Sequence, residues 1–173
     1  MIPKIVLIIV LMLATLQAEV QVSSKTEFID NGRVVNLDNK KFVVVSLRVP
    51  GADGRYYFVD QDGTVVYSGS ISSGAKGHET PEGIFKVTRK YKKYMSTKFP
   101  DPSGINNMNY SMFFHQGFAL HQGNTRFMSH GCVHLNKWDA KTIFKYVNYN
   151  TPVIITKDKY MPVINTKEKQ WIN

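Results

Sequence analysis

The only cysteine of the chain, Cys132, lies in a stretch whose residue types could perform nucleophilic catalysis. Three of the five histidines lie within eleven residues of it: His121, His130 and His134. A thiol is mostly protonated at neutral pH, since its pKa is about 8.5, and a neighbouring imidazole can remove the proton. Gly131 directly precedes the cysteine, and a glycine lets the backbone turn so that amide N–H groups face a developing oxyanion. The stretch therefore predicts a cysteine nucleophile with a histidine base.

His121 is the predicted base. It follows an apolar run, residues 118–120, so that packing could fix its ring. A carbonyl that holds one ring nitrogen would orient the other for proton transfer. We interpret His115 as structural or as the wall of a cleft, and His78 as an exposed residue of a turn.

A metal site is the alternative use of these side chains. In an extended chain, His130, Cys132 and His134 would point to the same side, and His121 could complete a set of four zinc ligands. Alternate positions on one strand are a cramped way to hold three ligands, and zinc sites usually leave two to four residues between ligands. We therefore predict no metal and no cofactor.

The N-terminus is typical of an export signal. Lys4 precedes an apolar run of twelve residues, 5–16, and Leu16-Gln17-Ala18 is an acceptable cleavage site. The run is shorter than the about 20 residues that cross a membrane. We predict that residues 1–18 are a signal peptide, an uncleaved anchor being the alternative. The mature protein would then act in the periplasm or cell envelope without a stable membrane span, where one unpaired cysteine suggests a reactive thiol.

The composition is that of an ordinary globular domain with excess positive charge. The 173 residues carry a net charge of +9, and no nucleic-acid-binding motif accompanies it. An anionic polymer of the cell envelope is a natural partner for such a protein, although the charge could also serve solubility alone. Neither a nucleic-acid partner nor an oligomeric state is indicated.

The pattern along the chain predicts mostly strands. The predicted strands are residues 42–49, 55–60, 64–71, 83–89, 112–114, 118–121 and 152–156. Asp62-Gly63 marks the turn of a hairpin between the second and third. One helix is predicted after the cysteine, with Asn136 as its N-cap, Asp139 three residues on, and an apolar face. That face comprises Ala140, Ile143, Phe144 and Val147.

The flanking segments are assigned by composition. Residues 19–41 are a lead-in, residues 42–156 form the domain, and residues 157–173 are a basic tail whose apolar side chains suggest that it docks on the domain. Within the domain, residues 89–110 hold five basic residues before the first acidic one, Asp101, and several aromatic ones. We interpret this segment as a basic, aromatic flap over the site, a solvated surface loop being the alternative.

Residues 129–133, Ser-His-Gly-Cys-Val, resemble the SHGC motif of the L,D-transpeptidases, the YkuD-like family. Other segments agree in the same order. Residues 80–85 are similar to the family's TPxGxF segment, residues 72–74 to its Ser/Thr-Gly stretch, and residues 117–121 to the strand that carries its base. The resemblance covers about residues 42–156.

The resemblance implies a mainly β fold with one main α-helix, arranged as a β-sandwich or curled mixed sheet. It implies a cofactor-free enzyme acting on peptidoglycan stem peptides that contain diaminopimelate. Cys132 would attack the donor and release D-Ala, and an amine would resolve the thioester into a 3→3 cross-link or a protein attachment, with His121 as the base. The N–H groups of Gly131 and Cys132 would bind the oxyanion, and Ser129 and His130 would shape the site.

Two departures from the family pattern bear on substrate binding. Only seven residues separate His121 from Ser129, which shortens the loop beside the donor, and His134 stands where many members have an arginine. The expected substrate contacts are His134, Arg126, Gln122 and Gly123, and the Gln122 carbonyl is the expected group that orients the base. Two other functions stay open: an L,D-carboxypeptidase that uses water as acceptor, and a non-catalytic peptidoglycan-binding module.

Overall fold

The computed structural model describes residues 20–23, 26–30, 33–47, 54–100, 107–158 and 163–166. The predicted signal peptide, residues 1–18, lies outside the described residues, as does most of the predicted tail. No helix within the described ranges is long and apolar enough to cross a membrane.

Strands dominate the described residues, and one helix, α1 (Lys137–Tyr146), accompanies them. The strands are β1 (Val20–Ser23), β2 (Glu27–Asp30), β3 (Arg33–Asn36), β4 (Phe42–Ser46), β5 (Gly54–Val59), β6 (Val65–Ser72), β7 (Gly83–Lys86), β8 (Arg89–Tyr91), β9 (Ser111–His115), β10 (Phe118–Gln122), β11 (Val133–Leu135), β12 (Pro152–Thr156) and β13 (Val163–Thr166).

Nine strands form one mixed sheet in the order β7-β12-β4-β5-β6-β11-β10-β9-β8. The pairs β4–β12 and β10–β11 are parallel and the others are antiparallel. The sheet curls on itself, since the ring of Phe85 on β7 lies 5.4 Å from that of Phe114 and 4.9 Å from that of His115 on β9. The predicted fold class, a curled mixed sheet with one main helix, is confirmed.

The inner face of the curl buries the main core. Its members come from most strands and include Val43, Val45, Tyr56, Phe58, Ile71, Leu120, Leu135, Val153 and Ile155. The helix adds Ala140 and Ile143 to it, followed by Val147. Every residue of β4 is buried, because Phe42 and Val44 on its other face pack with Phe28 and Leu37 from the β2–β3 hairpin region. A strand covered on both faces reads as the continuous apolar run seen in the sequence.

The helix ends are satisfied by side chains. Asn136 is the N-cap, as predicted: the Asp139 N–H donates to its Oδ1 at 2.9 Å, and its Nδ2 donates to Asp139 Oδ2 at 2.6 Å. At the other end, Lys90 Nζ donates to the Phe144 carbonyl at 2.8 Å and to the Val147 carbonyl. A lysine at a helix C-terminus both fills unpaired carbonyls and complements the helix dipole.

The structure corrects two strand assignments. Residues 83–89, predicted as one strand, are divided between β7 and β8, because Val87 N donates to Thr151 O while Thr88 N donates to Phe113 O. The chain thus passes from one end strand of the sheet to the other within two residues. The short strand β11 was not predicted, and the predicted lead-in and tail contribute β1 and β13, which pair with each other.

Candidate active site

His121 lies in β10, and Cys132 directly precedes β11, the parallel strand beside it. In the β10–β11 register His121 lies opposite His134, and Cys132 precedes His134 by two residues. Residues two apart in extended chain share a face, so the register directs Cys132 and His121 to the same face. Cys132 packs there with Ala119, which precedes His121 by two residues. The sheet therefore brings the predicted nucleophile and the predicted base to one face.

The thiol lies in an apolar setting. Cys132 is half-buried and packs with Met108, Phe113, Ala119 and Tyr94, on the face opposite the main core. Burial raises the pKa of the Cys132 thiol, and a hydrogen bond from the Ala119 backbone opposes that shift. The resting thiol is consequently protonated at neutral pH.

The imidazole of His121 is buried and oriented. It is 5% exposed, and its Nδ1 lies 2.7 Å from the Gln122 carbonyl oxygen. Because a carbonyl can only accept, Nδ1 carries the proton and Nε2 is left to accept one. Burial lowers the pKa of His121 to about 4, the charge of His134 adds to this, and the Gln122 carbonyl opposes it. His121 is therefore a neutral base near neutral pH, with Gln122 in the orienting position.

His134 is held by the loop after β10. Its Nδ1 lies 3.1 Å from the Asn124 carbonyl and 3.2 Å from Ser72 Oγ on β6. Its ring meets that of His121 edge-on at 4.9 Å between centroids. Burial lowers the pKa of His134, although the carbonyls of Asn124 and Phe127 oppose this, so the neutral ring is favoured. A neutral ring committed to backbone carbonyls is a poor partner for a substrate carboxylate, which weakens the role expected for His134.

Gly123 and Arg126 frame the same loop. A Cβ atom at Gly123 would lie 2.5 Å from His134 Cγ, so this glycine makes room for the imidazole rather than for substrate alone. Arg126 is exposed, and its backbone N–H donates to Asn124 Oδ1 at 2.9 Å. Its guanidinium remains a candidate for binding an anionic group of the substrate.

The turn before the cysteine is closed by Ser129. Ser129 Oγ donates to the Cys132 carbonyl at 2.5 Å and accepts the N–H of Gly131 at 3.0 Å. Gly131 has a φ of +108°, and a Cβ there would lie 2.3 Å from Phe118, so only glycine fits. The N–H of Gly131, expected to bind an oxyanion, is instead used inside the turn. The N–H of Cys132 is the other donor expected there.

Thr80 fixes this turn from outside, a role that sequence reasoning missed. Its buried Oγ1 donates to the Gly131 carbonyl at 2.8 Å and accepts the N–H of Gly74 at 3.0 Å. Ser129 N also donates to the Ser73 carbonyl at 2.9 Å. The Thr-Pro and Ser-Gly segments noted in the sequence thus both support the cysteine turn, and their order in the chain was the only available signal.

The segment 89–110 reaches the site through aromatic contacts. Phe99 stacks on the exposed ring of His130 at 4.6 Å, and His78 meets that ring from another side at 4.8 Å. Tyr94 and Met108 come from the same segment and pack with Cys132, Phe113 and Ala119. We call these five residues the cysteine cluster. Arg89, the first basic residue of the segment, has a structural role. Its guanidinium lies 4.4 Å from the Phe113 ring centroid and donates to the Gln116 carbonyl.

His78 and His115 make their ring contacts with residues other than Cys132 and His121. His115 stacks between Phe85 and Phe118, and His78 is exposed, in line with the sequence interpretation. Across the described ranges no group of three or more metal-binding side chains comes together. The alternative zinc set is not assembled, because the ring of His130 packs against Phe99 rather than beside His121.

The fold defines a class of mainly β domain built on a curled mixed sheet with one helix. The sequence profile of the YkuD family, described as the L,D-transpeptidase catalytic domain, matches residues 40–155. The chain therefore belongs to the YkuD family of L,D-transpeptidase catalytic domains. Among curated proteins none is significantly similar to this chain.

Several solved L,D-transpeptidases share the fold. The enzyme from Stackebrandtia nassauensis is 24% identical with a TM-score of 0.56, over 68% of this chain and 57% of that one. L,D-transpeptidase 1 from Mycobacterium tuberculosis is 20% identical with a TM-score of 0.54, over 72% and 65%. The catalytic domain of the Enterococcus faecium enzyme is 23% identical with a TM-score of 0.52, over 68% and 97%. The chain thus spans less than two thirds of the two longer proteins.

Proposed function

We propose that this protein is an exported cysteine L,D-transpeptidase that acts on the stem peptides of peptidoglycan. The observation that carries the proposal is that His121, with its Nδ1 held by the Gln122 carbonyl, lies on β10 beside the strand that Cys132 directly precedes, on the face where Cys132 packs with Ala119. Membership of the YkuD family supports the reaction class. The proposed reaction has an acylation step and a transfer step.

In acylation, the free Nε2 of His121 takes the thiol proton as Cys132 Sγ attacks the carbonyl of the third residue of a tetrapeptide donor. The N–H of Cys132 stabilises the oxyanion. The C–N bond to the terminal D-Ala then breaks, and the imidazolium returns its proton to the leaving amine. A thioester remains on Sγ, which divides one difficult amide exchange into two easier steps.

In transfer, an amine of a second stem peptide attacks the thioester. His121 accepts a proton from the attacking amine and returns it to the thiolate as Sγ leaves, which restores the resting neutral pair. Tyr94 and Met108, which pack over the cysteine cluster, would limit the access of water to the thioester. This covering supports an amine rather than water as acceptor.

The test is intact mass of the protein and of the products after incubation with muropeptides that bear tetrapeptides. The unsubstituted protein should gain an adduct equal to the donor minus D-Ala and should form dimers that lack one D-Ala. Cys132→Ala should form neither while keeping its unfolding midpoint. A tripeptide product without dimers would change the assignment to a carboxypeptidase, and the absence of both from folded protein would refute it.

Export is a separate part of the proposal. It is supported by the apolar N-terminal run, residues 5–16. The full chain produced in a diderm bacterium should be recovered from the periplasmic fraction with Glu19 as its first residue. Recovery from the cytoplasm with an intact N-terminus would refute export without affecting the enzyme assignment.

A further inference from the structure

An exposed aromatic cluster lies between β6 and α1, apart from the cysteine. Trp138 is 64% exposed and Tyr146 is 41% exposed. The ring of Tyr67 lies 6.4 Å from that of Trp138 and 5.4 Å from that of Tyr146. Tyr67 OH donates to Tyr146 OH at 3.2 Å, and Phe58 supports both tyrosine rings from below. The rings are thus held in place yet open to solvent.

Lysines continue this surface along the helix. Lys141 and Lys145 follow Trp138 by three and seven residues, which places all three on one side of α1. Lys141 and Lys145 also line a cavity of about 320 Å³ together with Lys92, Tyr110 and Phe144. We call the set Tyr67, Trp138, Tyr146, Lys92, Lys141 and Lys145 the aromatic–lysine surface.

The charge of this surface is not balanced within the described ranges. The ion pairs there join Lys41 to Asp60 and Lys157 to Glu82, so Lys92, Lys141 and Lys145 face no carboxylate. The single acid of α1, Asp139, is buried in the N-cap. Three unpaired ammonium groups around an aromatic floor attract a multivalent anion.

The ring types indicate which kind of anion. Trp and Tyr offer flat apolar faces with polar edges, and such rings suit a partner that alternates apolar and polar faces, as sugar rings do. A membrane-binding helix turns its whole apolar face, with Trp, Phe and Leu, toward the lipid. Here the apolar residues Ala140 and Ile143 of α1 are buried in the main core, and two hydroxyls are paired at the surface. These features favour an anionic glycan.

We propose that the aromatic–lysine surface binds the glycan strand of peptidoglycan, with sugar rings against Trp138 and Tyr146 and stem-peptide carboxylates in the lysine-lined cavity. The identity of the polymer rests on the proposed function. The helix buries Ala140 and Ile143 in the main core, whereas Cys132 packs in the cluster on the other face. The surface would therefore hold the polymer while a stem peptide on the same or a neighbouring strand reaches the thiol.

The experiment is co-sedimentation of the mature protein with insoluble peptidoglycan sacculi, in a Cys132→Ala background so that the polymer is not consumed. Trp138→Ala and the double variant Lys141→Gln/Lys145→Gln should each lower the bound fraction about fivefold or more. Added salt should weaken the binding of the parent protein to sacculi more than it weakens the binding of the lysine variant. Matched controls remove an equally exposed ring, Tyr149→Ala, or two exposed lysines elsewhere, Lys40→Gln/Lys86→Gln, and should bind like the parent. Equal binding by Trp138→Ala would overturn the proposal.

Two further outcomes would also overturn it: Trp138-dependent binding to anionic lipid vesicles with none to sacculi, and Trp138-dependent self-association in sedimentation. Turnover of soluble muropeptides by the unsubstituted protein is measured in parallel. If binding depends on Trp138 but no muropeptide is turned over, the proposed function is rejected and the binding role of the surface stands. If muropeptides are turned over but binding does not depend on Trp138, the proposed function stands and the binding role is rejected.

Discussion

His121 and Cys132 both lie in surroundings that disfavour charge. Burial lowers the pKa of the imidazole to about 4 and raises that of the thiol, so the resting pair is neutral. Many cysteine enzymes hold a thiolate beside an imidazolium. In the proposed reaction the thiol proton would move as the donor is attacked, and Nε2 of His121 would accept it.

Replacement of the base should remove most of the activity. His121→Ala leaves the thiol protonated with no group to accept its proton, and we expect acylation to slow on the order of a hundredfold or more. The measurement is the rate of adduct formation by mass spectrometry. His78→Gln, which removes an exposed imidazole, should acylate within about twofold of the parent. An equal loss in both variants would contradict the assignment of the base.

The second imidazole should influence the acid limit of the reaction. Burial is the main cause of the low pKa of His121, and the charge of His134 lowers it further. His134→Gln keeps a donor for the Asn124 carbonyl but removes that charge, so the pKa of His121 should rise from about 4 toward its ordinary value. Since only neutral His121 is active, the acid limb of the pH profile of kcat/KM should move to higher pH. An acid limb that stays in place or moves to lower pH would exclude this electrostatic coupling between His134 and His121.

At the scale of elements, the turn before Cys132 depends on a residue 51 positions earlier in the chain, Thr80. Thr80 joins the Gly74 N–H to the Gly131 carbonyl through one buried hydroxyl. The turn itself includes a glycine with positive φ, which has little preference for this shape without such support. The conformation of the loop before Cys132 is thus set by tertiary contacts.

Loss of that hydroxyl should be costly at nearly constant volume. Thr80→Val leaves one backbone donor and one acceptor unpaired in the interior, which costs about 1–3 kcal/mol. Urea unfolding should show this loss, and acylation should slow because the turn loosens. Thr80→Ser keeps the hydroxyl and should retain most of both. If valine and serine behaved alike, the bridge would have no role.

Features that depend on neighbouring residues could be predicted from the sequence, whereas features that depend on contacts between distant segments could not. The hairpin at Asp62-Gly63 and the helix start at Asn136 were predicted correctly, because each depends on residues within one turn of chain. The three-residue strand β11 was missed, since it is too short to show a period, and the register that pairs His134 with His121 depends on β10. The use of the Gly131 N–H by Ser129 could not be read from residue types alone.

At the scale of the whole molecule, the same buried imidazoles affect stability. Both His121 and His134 have a lowered pKa in the folded protein. An unfolded chain takes up protons on these rings below about pH 6.5, whereas folded His121 does so only near 4. The stability contribution is therefore complete above pH 6.5 and is lost as the pH falls from there toward 4.

The corresponding measurement is urea unfolding between pH 7 and pH 4.5. The parent protein should lose stability on acidification, and His121→Asn should show a shallower loss because one of the two buried imidazoles is absent. Subtracting the two curves removes the contribution of carboxylates, which both proteins share. If the free energies of unfolding of the two proteins changed in parallel with pH, His121 would bind protons equally well in the folded and unfolded states.

The place of β12 in the sheet has a consequence for how the chain folds. Val153 pairs with Val43, so these neighbouring strands meet only after the 109 residues between the two positions have been made. Pairings between such distant segments carry a large loop-closure cost, which places folding in the millisecond-to-second class rather than the microsecond class. The core can therefore close only after β12 has been made, and until then β4 lacks its native parallel neighbour.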